Sequence, residues 1–190
     1  MDFDKLSAVI SDALTQKTPL LVAIDGRCGA GKTTVAARLA EKFGCNVIHT
    51  DDFFLAVKKR TPERLLTPGG NIDVERLSCE VMTPLLSGLP FSYRPYDCHT
   101  DNLKPPVEIT PTRLTVIEGS YSCHPMLWDS YGLRVFIDVD PKTQLERIRA
   151  RNGEDAAKVF ESRWIPLEEK YFAAYSVKEK CDVVVEAENE

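Results

Sequence analysis

The chain has 190 residues, of which 43% are hydrophobic and 28% charged, and this composition suits one domain with a buried core. Its formal net charge is -5 and no long run of one sign occurs. These values argue against a nucleic-acid surface, which needs clustered Lys and Arg.

The lack of a targeting signal and the cysteine usage predict a cytoplasmic protein without membrane partners. The N-terminus lacks the basic-then-apolar order of a signal peptide, and no apolar run has the length of a membrane span. The six cysteines form no C-x-x-C pair, so we expect free thiols in a reducing compartment.

Apolar periodicity predicts strands that alternate with helices along residues 1–190, taken as a single domain. The predicted strands are residues 20–25, 45–50, 114–118, 134–139 and 182–186. The predicted helices are residues 4–16, 32–43, 73–86 and 155–176, with a further helix that begins at Asp140-Pro141. Residues 55–113, rich in Pro and charge, are predicted to form an excursion that lines a site. This alternation predicts a parallel sheet covered on both faces, with ligands beyond the carboxyl ends of its strands.

A glycine-rich segment between the first strand and the next helix carries the strongest chemical signal. Gly26-Arg27-Cys28-Gly29-Ala30-Gly31-Lys32-Thr33 satisfies the P-loop pattern G-x-x-x-x-G-K-[ST], and Thr34 follows it. Backbone N–H groups of such a loop face a phosphate, and the helix behind it adds its dipole. The Lys32 ammonium reaches the β- and γ-phosphates, and the Thr33 hydroxyl holds Mg²⁺. The motif predicts that residues 26–34 bind Mg²⁺ and the phosphates of ATP.

This motif implies an α/β P-loop NTPase fold with three layers, α/β/α. Its five-stranded parallel sheet is expected to have the strand order 2-3-1-4-5.

Acidic residues at two strand ends distinguish a kinase from other P-loop proteins. The second strand ends at His49-Thr50-Asp51-Asp52, and a carboxylate there would face the γ-phosphate as general base for an acceptor hydroxyl. Asp51 is the residue assigned to this role, although both acids could instead cap the following turn. Asp52 is taken as a structural or supporting acid.

A second carboxylate is needed to hold a Mg²⁺-bound water and to orient Thr33. Glu118 ends the third strand and is the preferred residue, because the expected strand order brings its strand beside the P-loop strand. Asp138, at another strand end, is the alternative. Asp140 is assigned to helix capping.

Taken together, these segments resemble the uridine kinase and phosphoribulokinase family of P-loop kinases, in its bacterial uridine-kinase-like branch. The matching segments are AIDGRCGAGKTT, HTDDFFL, GGNID, RPYD, VIEGSYS, RIRAR and RWIPLEEKYF. The resemblance implies that Asp51 is the catalytic carboxylate and that Glu118 supports Mg²⁺. It also implies that Asp73 grips ribose hydroxyls and that Tyr96 lies beside a substrate base. Asp73 as a helix N-cap and Tyr96 as a packing residue are the alternatives.

The resemblance further implies a short lid, about residues 147–155, whose arginines clamp phosphates. Arg147 and Arg151 share a helix face and are the two expected to act on the phosphates, whereas Arg149 points elsewhere. A solvated helix face is the alternative for this pair. A buried pair of Arg163 and Glu168 is also considered, without a mechanism.

The function that these residues predict is transfer of the γ-phosphate of Mg-ATP to a small-molecule hydroxyl, most simply the 5′-hydroxyl of uridine or a related nucleoside. His99 follows Tyr96 more closely than the histidine of nucleoside kinases does, and the lid is short. Pantothenate or another small alcohol is therefore the alternative acceptor. A nucleotide-dependent switch protein is the alternative from another class. The oligomeric state stays open, with a homo-oligomer compatible with the family.

Cys28 lies in the phosphate loop near Lys32 and a helix N-terminus, a setting that lowers the pKa of a thiol. A reactive thiol is one hypothesis, and an inert small residue is the other.

Overall fold

The structure, a computed structural model, describes residues 3–187. Its strands are β1 (Leu20–Gly26), β2 (Asn46–His49), β3 (Phe91–Tyr93), β4 (Tyr96–Asp97), β5 (Asn102–Leu103), β6 (Val107–Ile109), β7 (Leu114–Glu118), β8 (Leu133–Asp138) and β9 (Val183–Glu186). Its α-helices are α1 (Phe3–Gln16), α2 (Lys32–Phe43), α3 (Pro62–Leu66), α4 (Val74–Leu77), α5 (Thr83–Ser87), α6 (Pro141–Asn152), α7 (Glu154–Val159), α8 (Ile165–Tyr175) and α9 (Val177–Lys180). Short 3₁₀ turns cover Thr50–Phe53, Val57–Lys59 and Trp128–Ser130, and π-helical turns cover Ser78–Met82 and Phe160–Trp164.

The central sheet has five parallel strands in the order β2-β7-β1-β8-β9. When only these five strands are numbered along the chain, the order is 2-3-1-4-5, so the predicted topology is confirmed. β3 pairs with β6 and β4 pairs with β5 in small antiparallel ladders outside the sheet. The register of the parallel strands brings Ile24, His49 and Glu118 to one level near the carboxyl edge.

Hydrophobic cores lie on both faces of the sheet, because successive side chains of a strand point to opposite sides. Leu21 and Ala23 of β1 belong to the core that contains α4, α5 and α8. Leu20, Val22 and Ile24 belong to the core under α1 and α2. The three-layer α/β/α architecture predicted from the sequence is confirmed. Within residues 3–187, no helix is long and apolar enough to span a membrane.

Two segments differ in their regularity from what the sequence indicates. Residues 55–72, expected to be irregular, contain α3, which begins at Pro62 and is capped by the Thr61 side chain. The long final helix expected for residues 155–176 is formed by α7, a π-helical turn and α8 in succession. Gly153, with φ of +84°, separates this helical run from α6.

Candidate active site

The phosphate loop connects β1 to α2, as its motif requires. Gly26 ends β1 with φ of +132°, and a Cβ atom there would lie 2.0 Å from the Ile137 carbonyl oxygen, so only glycine fits. The Lys32 ammonium is buried and donates to the carbonyl oxygens of Gly26 (2.7 Å) and Arg27 (2.9 Å). The loop therefore holds its lysine at the entrance of α2, where a phosphate would be bound.

Arg27 uses its side chain to anchor the loop rather than to line the cavity. Its Nε lies 2.6 Å from Glu169 Oε1 on α8, and its Nη1 lies 2.6 Å from Asp138 Oδ1 at the end of β8. Asp138 is also paired with Lys178. These ion pairs occupy Asp138, which favours Glu118 as the acid that faces bound Mg²⁺.

Glu168, on α8, reaches the phosphate loop from the far end of the chain. Its Oε2 accepts the backbone N–H of Cys28 at 3.1 Å, and its Oε1 accepts the Ser120 hydroxyl at 2.5 Å. Arg163 does not pair with it, because its guanidinium lies over the Trp164 ring at 4.6 Å. The buried pair of Arg163 and Glu168 considered from the sequence is therefore wrong.

The Cys28 thiol is not activated by its position. Burial is the main cause that raises the pKa of Cys28 to about 12, and the Glu168 carboxylate raises it further, although Lys32 and a hydrogen bond from Gln144 act in the opposite direction. The lowered thiol pKa expected from the sequence is contradicted, because the sequence shows the nearby lysine and helix N-terminus but not the buried carboxylate. The reactivity of Cys28 stays a prediction.

Glu118 and Thr33 bring a carboxylate and a hydroxyl together beside the phosphate loop. The Thr33 hydroxyl donates to Glu118 Oε1 at 3.0 Å, and Glu118 is buried at the end of β7. The His49 Nδ1 lies 2.5 Å from the same oxygen, a contact that raises the pKa of His49. A hydroxyl and a carboxylate fit Mg²⁺, which keeps most of its waters and binds few protein oxygens. Within residues 3–187, no cluster of three or more His, Cys, Asp or Glu forms a metal cage.

Asp51 and Asp52 lie in the 3₁₀ turn after β2 and face different surroundings. Asp51 lines the cavity, and no hydrogen bond or ion pair within residues 3–187 reaches its carboxylate. The protein around it raises the pKa of Asp51, chiefly through burial, while the Lys32 charge lowers it. Asp52 instead accepts the Tyr93 hydroxyl at 3.0 Å. The unpaired carboxylate is thus Asp51, and Asp52 is held by a structural contact.

These groups share a cavity of about 560 Å³. Its lining includes the P-loop residues Cys28, Gly29, Gly31, Lys32, Thr33 and Thr34, together with Asp51, Glu118, Ser120 and Glu168. Gly26, Arg27 and Ala30, which were also assigned to nucleotide binding, are outside the lining. The cavity extends from the phosphate loop to the excursion, where Phe54, Arg60, Leu65, Asn71, Cys98 and His99 line it.

The two residues expected to recognise a nucleoside are not in this lining. Asp73 is buried, caps α4 by accepting the Arg76 N–H, and pairs with Lys59 at 2.7 Å. Tyr96 is also buried, and its hydroxyl donates to Asp101. Both side chains adopt the structural arrangement that the sequence left as an alternative, and their contacts with a substrate stay a prediction.

The lid arginines divide as helical spacing predicts. Arg147 and Arg151 line the cavity, whereas Arg149 pairs with Glu154 at 3.3 Å. Arg147 also donates to the Gly29 carbonyl oxygen at 3.2 Å, so it lies against the phosphate loop. The cavity wall continues beyond the predicted lid boundary at residue 155, to Phe160, Arg163 and Trp164. These three residues belong to the helical run after Gly153, and the bounds of the lid stay a prediction.

Several residues of the site were not found by sequence reasoning. His49 and Ser120 adjoin motifs that were recognised, so their proximity to predicted site residues was the available signal. Arg60, Asn71 and Trp164 carry no local signal, because only the folding of the excursion and lid brings them to the cavity.

Sequence comparison finds uridine kinases among the relatives. The chain is 26% identical over 153 residues to the uridine kinase of Latilactobacillus sakei, a match that covers 77% of the chain and 72% of the relative. Two shorter matches, of 58 and 36 residues, span only 11% and 20% of the relatives concerned. The longer of these is with a bifunctional pantoate ligase/cytidylate kinase of Gloeobacter violaceus, at 43% identity. No family model matches the chain.

Structure comparison gives the same fold over nearly the whole chain. A possible uridine kinase from Bacillus stearothermophilus superposes with a TM-score of 0.67 at 21% identity, covering 93% of this chain and 98% of the other. The D-glycerate 3-kinase of Cryptococcus neoformans superposes with a TM-score of 0.69 at 17% identity, covering 99% and 96%. At these identities the likeness establishes the fold.

Proposed function

We propose that the chain, which resembles uridine kinases in sequence and shares their fold, transfers the γ-phosphate of Mg-ATP to a hydroxyl of a small molecule. One observation carries this proposal. A single cavity of about 560 Å³ is lined both by the phosphate loop and by the unpaired Asp51 carboxylate, leaving space for an acceptor near both.

The nucleotide side of the reaction depends on cationic side chains. Lys32 lies among the loop carbonyls, and Arg147 and Arg151 line the opposite lid wall, so all three can contact a polyphosphate. Thr33 and Glu118 would hold Mg²⁺ directly or through water, and the bound ion would neutralise charge on the β- and γ-phosphates. These residues position the triphosphate and offset the charge on the transferred group.

Asp51 supplies the base on the acceptor side. In the proposed reaction, the acceptor oxygen forms a bond to the γ-phosphorus, its proton passes to the Asp51 carboxylate, and the bond to ADP breaks. The raised pKa of Asp51, caused mainly by burial, makes it a stronger base than an ordinary aspartate.

A nucleoside is the acceptor that the sequence predicts, and the relatives named uridine kinases support it. The contacts of Asp73 and Tyr96 do not, because both side chains already have partners in the protein. Another small alcohol, of the kind considered from the sequence, fits the same mechanism. A nucleotide-dependent switch is less well supported, since it has no use for the unpaired Asp51 or for the cavity beside it.

Replacing Asp51 by Asn tests the proposal. We expect kcat to fall roughly 10²–10⁴-fold, because the base is lost, while the KM for Mg-ATP stays close to that of the wild type. The rate is measured as acceptor-dependent ADP formation, with a panel that includes uridine, pantothenate and glycerate. Asp52→Asn is the matched control, because its amide oxygen can still accept the Tyr93 hydroxyl. Near-normal turnover of the Asp51 variant would contradict the proposed mechanism.

A further inference from the structure

Five Lys and Arg side chains line the cavity, two more than are assigned to the triphosphate. Arg60 and Arg163 lie in the lining in addition to the three cations assigned to phosphates. They come from two different segments, the excursion and the helical run after the lid. No carboxylate within residues 3–187 pairs with either guanidinium. An unpaired arginine in a cavity indicates an anionic ligand, since the guanidinium fork matches carboxylate and phosphate oxygens.

Arg60 is fixed on the excursion side. It follows the 3₁₀ turn Val57–Lys59 and is half-buried, and its Nε donates to the Leu55 carbonyl oxygen at 2.7 Å. This bond uses the Nε donor and leaves the two Nη groups for other contacts. Arg60 lines the cavity. Their neighbour is Cys98, whose pKa is raised mainly by burial and is lowered in part by this guanidinium. The pKa of Asp101 is lowered chiefly by the hydrogen bond from Tyr96 and in smaller part by the Arg60 charge, but Asp101 makes no ion pair with Arg60. The thiol does not neutralise the arginine.

Arg163 lies against an aromatic wall that Trp164 and Phe54 form. Its guanidinium lies over the Trp164 ring, and this ring is 6.5 Å from that of Phe54, close to Asp51 in the chain. Stacking on the indole uses the flat face of the guanidinium and leaves its N–H edge available for oxygens. The same wall would pack against the apolar part of an acceptor.

A neutral nucleoside would leave both arginines without an ion-pair partner, and the residues expected to bind its ribose and base are buried in other contacts. We propose, on the premise that the chain is a small-molecule kinase, that its acceptor carries a carboxylate or phosphate group, bound by Arg60 and Arg163. The hydroxyl of the same molecule then faces Asp51. This narrows the acceptor from any small alcohol to an anionic one.

Matched acceptors test the charge requirement directly. ADP formation is measured with glycerol, D-glycerate and glycerol 3-phosphate, then with pantothenol and pantothenate, and with uridine. We expect at least tenfold higher kcat/KM for an anionic acceptor than for its neutral counterpart, and the preferred member distinguishes carboxylate from phosphate recognition. Uridine or a neutral alcohol that is used as well as the anionic ones would overturn the inference and leave the kinase proposal standing. If the protein binds Mg-ATP but turns over none of the anionic acceptors, the inference is also overturned.

Single variants then locate the anion site. Arg163→Gln and Arg60→Gln should each raise the KM for the preferred anionic acceptor at least tenfold and change the KM for Mg-ATP less than twofold. Arg163→Lys, which keeps the charge and loses the fork, should give an intermediate KM. Arg149→Gln is the control, because Arg149 pairs with Glu154 away from the cavity.

Two results distinguish the possible failures. An increase in the KM for Mg-ATP, instead of the KM for the acceptor, would assign both arginines to the nucleotide and overturn the inference. Thermal unfolding checks that the wild-type protein is folded. If the folded protein does not bind Mg-ATP, the kinase proposal itself is contradicted.

Discussion

The Glu168 carboxylate accepts a hydrogen bond from the phosphate loop, and its negative charge helps to raise the pKa of Asp51. Burial is the largest cause of the raised pKa of Asp51, and the charges of Glu118 and Glu168 add to it. Glu168→Gln keeps an oxygen that accepts from Cys28 or Ser120 but removes the charge, so the Asp51 pKa should fall.

We therefore expect the acid limb of the kcat/KM profile, which follows ionisation of the base, to lie at lower pH in Glu168→Gln than in the wild type. The measurement is the pH dependence of kcat/KM for the best acceptor between pH 4 and 8. A limb that stays in place or moves to higher pH would exclude this electrostatic coupling.

Asp25 is a second buried carboxylate, beneath the phosphate loop. It accepts hydrogen bonds from the backbone N–H groups of Gly26, Tyr121 and Cys123 and from the Tyr171 hydroxyl. Burial raises the pKa of Asp25 to about 6, although these donors and Lys32 favour the ionised form. Because the folded-state pKa is raised, the contribution of this group to stability is fully present below its ordinary pKa and is lost as pH rises through about 6.

Tyr171→Phe removes one donor to the Asp25 carboxylate and keeps the aromatic ring. We expect it to lower the free energy of unfolding by about 1–3 kcal/mol at pH 8, where Asp25 is ionised, and by less at pH 5. Denaturant unfolding at both pH values measures this loss. Tyr175→Phe is the control, since its hydroxyl makes only a 3.4 Å contact with the Pro68 carbonyl oxygen. A loss that is equal at both pH values would show that the bond does not depend on ionisation.

At the scale of elements, α6 presents different arginines to the cavity and to solvent. Arg147 contacts the phosphate loop, and Arg149, two residues later, pairs with exposed Glu154. We expect Arg147→Gln to lower kcat/KM for Mg-ATP by about tenfold or more, because a charge-assisted contact is lost. Arg149→Gln should change it less than about twofold. Equal effects of the two variants would indicate that α6 acts only through general charge.

The strands and helices follow from local patterns in the sequence. The five strands of the sheet were predicted within about one residue, because each is a short apolar run bounded by turn or polar residues. The excursion was harder to predict, since β3, β4, β5 and β6 are only two or three residues long. Strands of this length have little periodicity and depend on their partners.

For the whole molecule, Mg-ATP should stabilise the folded state, because the phosphate loop exists only there. Ligand at 100 times its Kd should add about 2.7 kcal/mol to the free energy of unfolding. Lys32→Met should remove most of this gain, and so should chelation of Mg²⁺ with EDTA. Thermal unfolding with and without nucleotide measures it. A variant that keeps the full wild-type gain would show that Lys32 does not contact the polyphosphate.

The sequence by itself determined the phosphate loop, the strand order and the carboxylates at the strand ends. The loop residues are contiguous, so one strand–loop–helix segment holds the whole motif. Asp51 follows β2 and Glu118 ends β7. Both strands end at the carboxyl edge of the parallel sheet, and the topology therefore brings the two carboxylates to one place.

Only the tertiary structure decided which distant side chains complete the cavity. Glu168 meets Cys28 across 140 residues of sequence, and its charge and the surrounding burial reverse the thiol pKa shift expected from the loop alone. Asp73 and Tyr96 are absent from the cavity lining, whereas Arg60 and Arg163 belong to it. Charge, burial and access depend on which neighbours pack around a group in space, and no local pattern of residues records those neighbours.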